Sequence, residues 1–125
     1  MSGHTDPVTA TFGVTSMTAP LRRVLVRRPA TEGDWAAAGW QVPDPDALLR
    51  QHEAFCELLA GLGADVEVAE ALPGQVDAVY MHDPLLVTAR GAIPLRMRKP
   101  IRAREPGHAR EELERLGVPV LGELP

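Results

Sequence analysis

Asp77 and Asp83 stand six residues apart, His82 directly precedes the second acid, and a basic run follows in which Arg96, Arg102 and Arg104 are interleaved with Met97, Pro100 and Glu105. Carboxylates accept hydrogen bonds in bidentate fashion from planar cations, and guanidinium groups donate to carboxylates in the same fork geometry. Two acids around the apolar run Ala78 to His82, with arginines following it, suit one cleft that faces a ligand carrying both charges.

Other reactive side chains carry less. Cys56 lies within Phe55-Cys56-Glu57-Leu58, with no helix N-terminus or basic neighbour to favour its thiolate, so it is expected to be a small apolar residue rather than a nucleophile. His4, His52, His82 and His108 are scattered without metal-ligand spacing, and no second cysteine exists. His82 is expected to be a packed or surface residue, pointing away from the Asp83 side of a strand. No glycine-rich phosphate loop occurs, so no cofactor or metal is expected.

The elements that must hold these residues follow from periodicity and punctuation. Leu21 to Arg28 is a β-branched-rich run stopped by Pro29, which predicts a strand. Thr31 to Asp44 reads as a loop carrying Trp35 and Trp40, expected to pack it down as a lid or flap. A helix is predicted from a cap at Asp44 or Asp46 to Leu62, with Leu48, Phe55, Leu59 and Leu62 on one face and Gly63 as its stop. Val66 and Val68 alternate with Asp65 and Glu67 as a second strand. Ala78 to His82, Pro84 to Thr88 and Ala92 to Met97 read as short strands, the last two joined by a turn at Ala89-Arg90-Gly91. A second helix starts near Glu105-Pro106 and runs through Ala109, Leu113 and Leu116 to Gly117, before a closing strand Val118 to Leu121.

The grammar repeats. Helix, then Leu62-Gly63-Ala-Asp-Val66-Glu-Val68, returns as helix, then Leu116-Gly117-Val-Pro-Val120-Leu. Arg27-Arg28-Pro29 and Arg98-Lys99-Pro100 precede the two copies. The fold class is therefore α/β, built from about two strand, helix, strand units.

A chain of 125 residues is one domain at most. Residues 1–18, rich in Thr, Ser, Gly and Ala, read as a loosely held lead-in to a domain spanning 19–125. With 45% apolar and 24% charged residues the composition is globular, and a net charge of −4 gives no reason to invoke nucleic acid or an anionic membrane surface. A single cysteine forms no internal disulfide, and no run approaches the roughly 20 apolar residues that span a bilayer, so a cytoplasmic location is expected.

Beyond these readings, the segment His82-Asp83-Pro84, then Met97, then Arg102-Ala-Arg104-Glu105, resembles the N-terminal half of the guanidine-modifying enzymes. These are the arginine deiminases, dimethylarginine dimethylaminohydrolases and amidinotransferases of the pentein superfamily. Asp77, Asp83 and Arg102 match the dimethylarginine enzymes' run, whereas His82 stands where those enzymes carry a Glu. The strand exit Val24-Leu-Val-Arg-Arg-Pro29 fits as well.

The resemblance implies about two ββαβ modules of a five-module α/β propeller, an incomplete ring. It implies that Asp83 grips the nitrogens of a small-molecule guanidine, that Asp77 assists or shapes the strand end, and that Arg102, ahead of Arg96 or Arg104, pairs with the substrate's α-carboxylate. It also implies that the attacking cysteine and the proton-moving histidine lie outside these residues. The expected function is the N-terminal portion of a hydrolase of arginine or methylated arginine, inactive alone and completed by a C-terminal half. The alternatives are a guanidine-binding or regulatory module, completed by self-association, or a degenerate fragment.

Overall fold

The computed structural model describes residues 12–122. Of the expected lead-in, residues 1–11 lie outside the described residues, as does His4. Strand β1 (Arg23–Arg27) ends before Pro29, as the missing amide of proline requires, and pairs in parallel with β2 (Asp65–Ala69) in the register Val24 to Val66 and Val26 to Val68. The segment between them crosses over through two helices. A single turn, α1 (Trp35–Ala38), occupies what the sequence suggests is plain loop. It is capped by Asp34, whose Oδ1 accepts from the Ala37 amide at 3.0 Å.

Helix α2 (Pro45–Gly61) follows, with Asp44 as cap and Pro45 in the first turn, and Gly63 takes the left-handed φ of 101° that ends it. The face of α2 turned toward the rest of the chain differs from expectation. Ala47, Leu48, Leu49, His52, Cys56 and Leu59 are half-buried, whereas Phe55 is 49% and Leu62 75% exposed. The helix is rotated so that His52 lies at the middle of its inner face, and part of its apolar stripe meets solvent.

The second unit is an antiparallel hairpin, β3 (Leu85–Thr88) with β4 (Gly91–Pro94), covered by α3 (Glu105–Arg115). Ala109 and Leu113 of α3 close on Leu85, Ala92 and Val118, with Leu25 of β1 and Met81 packed alongside. Full burial of a side chain such as Leu113 contributes roughly 1.5–3 kcal/mol. A smaller cluster of Trp35, Ala38 and Val76, edged by Trp40 and Leu48, fastens the crossover segment.

Two expected strands are corrected. Ala78 to His82 is not extended: Val76–Val79 forms a 3₁₀ turn, and the chain continues through a second turn to Asp83. Val118 to Leu121 contributes one bridge, Val120 beside Ala92, because Pro119 cannot donate to a ladder. Its carbonyl accepts from the Ala92 amide at 2.8 Å, and the Leu121 amide donates to the Ala92 carbonyl at 2.8 Å.

Candidate functional site

The crossover segment and the 3₁₀ turn meet where Gly33 bridges Gly74. A side chain at position 33 would place its Cβ 2.5 Å from Val76 Cγ1, so glycine is what permits this approach. The contact brings the Trp35–Trp40 segment over Asp77. Trp35 and Trp40 rings lie 5.3 Å apart and Trp40 and Tyr80 rings 5.8 Å apart, so Trp40 is held between the two.

Asp77 faces inward, 3% exposed. Its Oδ1 accepts from Trp40 Nε1 at 2.8 Å and its Oδ2 from Lys99 Nζ at 3.0 Å; the same ammonium donates to the Ala38 carbonyl at 2.9 Å. Burial alone pushes this carboxyl upward. The hydrogen bonds from Trp40 and Lys99, with the charges of Lys99 and Arg102, outweigh it and hold the group below its ordinary range. Asp77 is therefore an anchored anion that ties three segments together. Trp40→Phe keeps a ring in the stack and removes the donor to Oδ1; the expected cost is about 1–3 kcal/mol. Urea unfolding at neutral pH measures it, and an unchanged midpoint would show that the bond contributes nothing.

Arg102, at the end of the 3₁₀ turn Pro100–Arg102, is buried and directed at five protein oxygens. Nε donates to Glu105 Oε2 at 2.9 Å and Nη2 to Glu105 Oε1 at 2.7 Å, a bidentate clasp at the first turn of α3. Nη2 also approaches the carbonyls of Asp77 at 3.3 Å and Tyr80 at 3.4 Å. Nη1 donates to Asp83 Oδ2 at 2.9 Å. The hydrogen bond from Glu105, helped by Asp83, raises the guanidinium further above its already high range, against the opposing effect of burial.

Asp83 differs from Asp77. Its side chain is 46% exposed, one oxygen is held by Arg102, and Oδ1 makes no hydrogen bond among the described residues. The three residues singled out from the sequence therefore meet, but through Arg102: it binds the carboxylate of Asp83 and the carbonyl of Asp77. The two acids do not flank a strand as expected, because the segment between them is turned rather than extended.

Arg96, His82 and Arg104 are exposed. Cys56 Sγ lies 3.8 Å from His52 Nδ1, one turn apart on α2, and burial, with the nearby Arg28, depresses the His52 pKa despite the opposing charge of Glu53. Neither lines the hollow at the site. That hollow, about 120 Å³, is walled by Asp34, Gln75, Asp77, Ile101, Arg102 and Glu105 among others, and Asp83 stands outside it. Its volume is well below the roughly 300–1,000 Å³ of ligand clefts.

Sequence reasoning missed Glu105, Lys99 and the Trp40 indole as parts of the site. A signal existed for two of them: a buried tryptophan N–H needs an acceptor, and a Glu three residues after an Arg can close a clasp on a helical turn.

No protein-family model matches the chain, and no curated protein matches it significantly. Solved structures do. A dimethylarginine dimethylaminohydrolase, as its adduct with 4-chloro-2-hydroxymethylpyridine, matches with a TM-score of 0.70 at 25% identity over 84% of this chain and 41% of its own. The Pseudomonas aeruginosa dimethylarginine dimethylaminohydrolase complexed with citrulline matches with a TM-score of 0.68 at 26% identity, over 82% and 41%. AgrE in its binary complex with L-arginine shares the fold with a TM-score of 0.70 at 21% identity, over 86% of this chain and 16% of its own. The chain thus spans about two fifths of the length of the dimethylarginine enzymes it matches. Over the part it spans, the chain is similar in its α/β fold to these pentein-superfamily enzymes.

Proposed function

We propose that residues 12–122 form the guanidine-gripping N-terminal portion of a hydrolase acting on arginine or a methylated arginine, as about two modules of a pentein ring. The observation that carries this reading is the half-engaged carboxylate of Asp83. Arg102 fixes one oxygen, the other has no hydrogen bond among the described residues, and the side chain is 46% exposed, which supports reading it as an acceptor for a flat cation. Arg102 Nη1 carries a second hydrogen, and this is the donor we assign to the ligand's α-carboxylate. Asp77, with both oxygens engaged, shapes the wall behind them.

The likeness to enzymes bound to citrulline or arginine-like compounds supports the substrate class. A hydrolysis of this kind requires a thiolate to attack the guanidine carbon and a base to move protons. Cys56 is placed on the inner face of α2, beside His52 and with no hydrogen bond to Asp83 or Arg102 among the described residues, and the chain spans about two fifths of the enzymes it resembles, so we assign that chemistry to groups outside residues 12–122, supplied by a C-terminal half.

Titration calorimetry of the chain with arginine, agmatine and dimethylarginine tests this. Binding is expected for all three, weakest for agmatine, which lacks the α-carboxylate. Asp83→Asn should weaken each by about tenfold or more, the loss of one hydrogen bond between charged groups. Absence of heat with all three ligands overturns the reading. Citrulline formed by the chain alone overturns the assignment of the chemistry elsewhere.

A further inference from the structure

We propose that Lys99 is an acylation site whose charge latches the tryptophan segment onto Asp77: transfer of an acyl group to its Nζ loosens Trp35 to Trp40 from the 3₁₀ turn. Lys99 is the only lysine among the chain's 13 Lys and Arg residues. Its Nζ joins two segments far apart in sequence, donating to Asp77 Oδ2 at 3.0 Å and to the carbonyl of Ala38, the last residue of α1, at 2.9 Å. The inference stands independently of the reading of Asp83 as a guanidine acceptor.

The chemistry of Nζ sets what modification does. An ammonium carries three N–H donors and a full charge, and two of the donors serve Asp77 and Ala38. An acylated Nζ is a neutral amide with one N–H, so it serves one acceptor at most and places a new carbonyl oxygen near two groups that are acceptors themselves. Lysine is the cation that acylation can neutralise in this way. The step balances with an activated acyl donor of the acyl phosphate class. Nζ gives one proton to solvent and attacks the acyl carbon; the bond from that carbon to the phosphate oxygen breaks, phosphate departs with the bonding pair, and a second proton leaves the nitrogen as the amide forms.

Burial gives the arrangement its direction. The Lys99 side chain is 49% exposed, whereas that of Asp77 is 4%. A donor therefore meets Nζ from solvent, once the bond to Asp77 opens, without entering the core. What Nζ holds is buried: Asp77, and Ala38 packed with Trp35 and Val76. With the ammonium neutralised, Asp77 keeps Trp40 Nε1 on Oδ1 and loses the charge on Oδ2. The last carbonyl of α1 loses its cation at the same moment.

The test treats the full chain with acetyl phosphate at neutral pH and maps the product by mass spectrometry; Lys99 and the N-terminal amine are its only amines. Acetylation of Lys99 is expected, at a rate about five- to tenfold higher in Asp77→Asn, which keeps an acceptor for Trp40 and removes the charge that holds Nζ. Hydrogen exchange at Trp40 Nε1–H, read by ¹⁵N NMR of the acetylated wild type, should quicken by about the same factor. Lys99→Arg keeps the charge and takes acetyl only at the N-terminus, so treatment should leave its exchange unchanged.

Lys99 left unmodified while the N-terminal amine reacts overturns the proposal. So does a rate unchanged in Asp77→Asn, or Trp40 exchange unchanged in the acetylated chain. Equal quickening in treated Lys99→Arg would assign the effect to the N-terminus and overturn the latch. If Asp77→Asn fails to fold, the exchange measurement on acetylated wild type decides alone, since it needs no substitution.

Discussion

Arg102→Met is expected to lower the thermal midpoint by roughly 15–25 °C, the equivalent of 3–5 kcal/mol in a domain of about this size. The substitution leaves Glu105, 3% exposed, as a buried carboxylate that has lost both hydrogen bonds from its guanidinium partner. It also frees the carbonyls of Asp77 and Tyr80 and the turn that carries Asp83. Arg102→Lys keeps the charge but offers a single ammonium in place of the fork, so it reaches Glu105 or Asp83 and not both. It should recover about half of the loss or less. The double variant Arg102→Met with Glu105→Leu removes both buried charges, and replacing a buried pair by apolar groups is often neutral or stabilising, so it should be more stable than Arg102→Met alone. Circular dichroism melts measure all three. A double variant no better than the single would show that the cost lies in lost packing and not in the orphaned carboxylate.

That buried clasp shows where the sequence was legible and where it was not. Elements with strong local punctuation were read closely: Asp44 and Gly63 bracket α2, Pro106 and Gly117 bracket α3, and Pro29 closes off β1. Short apolar runs were not. Val76 to Met81 fits a period of two as well as a period of three, and the outcome, a 3₁₀ turn, was decided by contacts far along the chain, above all Trp40 and Lys99 on Asp77. The stripe on α2 was identified but its inner edge misplaced, because Phe55 and Leu62 satisfy the helical spacing equally well and tertiary packing selected Leu48, His52, Cys56 and Leu59. At the candidate site, residue types together with the family resemblance named Asp77, Asp83 and Arg102, yet could not say which acid is engaged on both oxygens and which on one. That distinction comes from the turn at 76–83, which sends one side chain inward and the other out.

Asp77 carries the second large effect, and its pH dependence gives the sign. In the folded chain its carboxyl is held below the ordinary value of 3.8, so the unfolded chain binds its proton at a higher pH than the folded one. Its contribution to stability is therefore fully present above about pH 4 and lost as the pH falls through the depressed folded value. Asp77→Ala at neutral pH removes a charge-assisted bond to Lys99 and leaves the Trp40 indole without an acceptor, for an expected loss of about 3 kcal/mol. Lys99, half exposed, can turn to water; Trp40, between Trp35 and Tyr80, is less able to do so. Asp77→Asn retains an oxygen for Trp40 and loses the charge for Lys99, so its deficit should be smaller. It should also shrink as urea unfolding is repeated at pH 7, 5, 4 and 3, because protonation brings the wild-type side chain toward the same neutral state. A deficit that stays constant across that range would mean that the charge of Asp77 contributes nothing. The anchoring of the tryptophan segment would then rest on the uncharged hydrogen bond from Trp40 and on the Trp35, Ala38 and Val76 contacts.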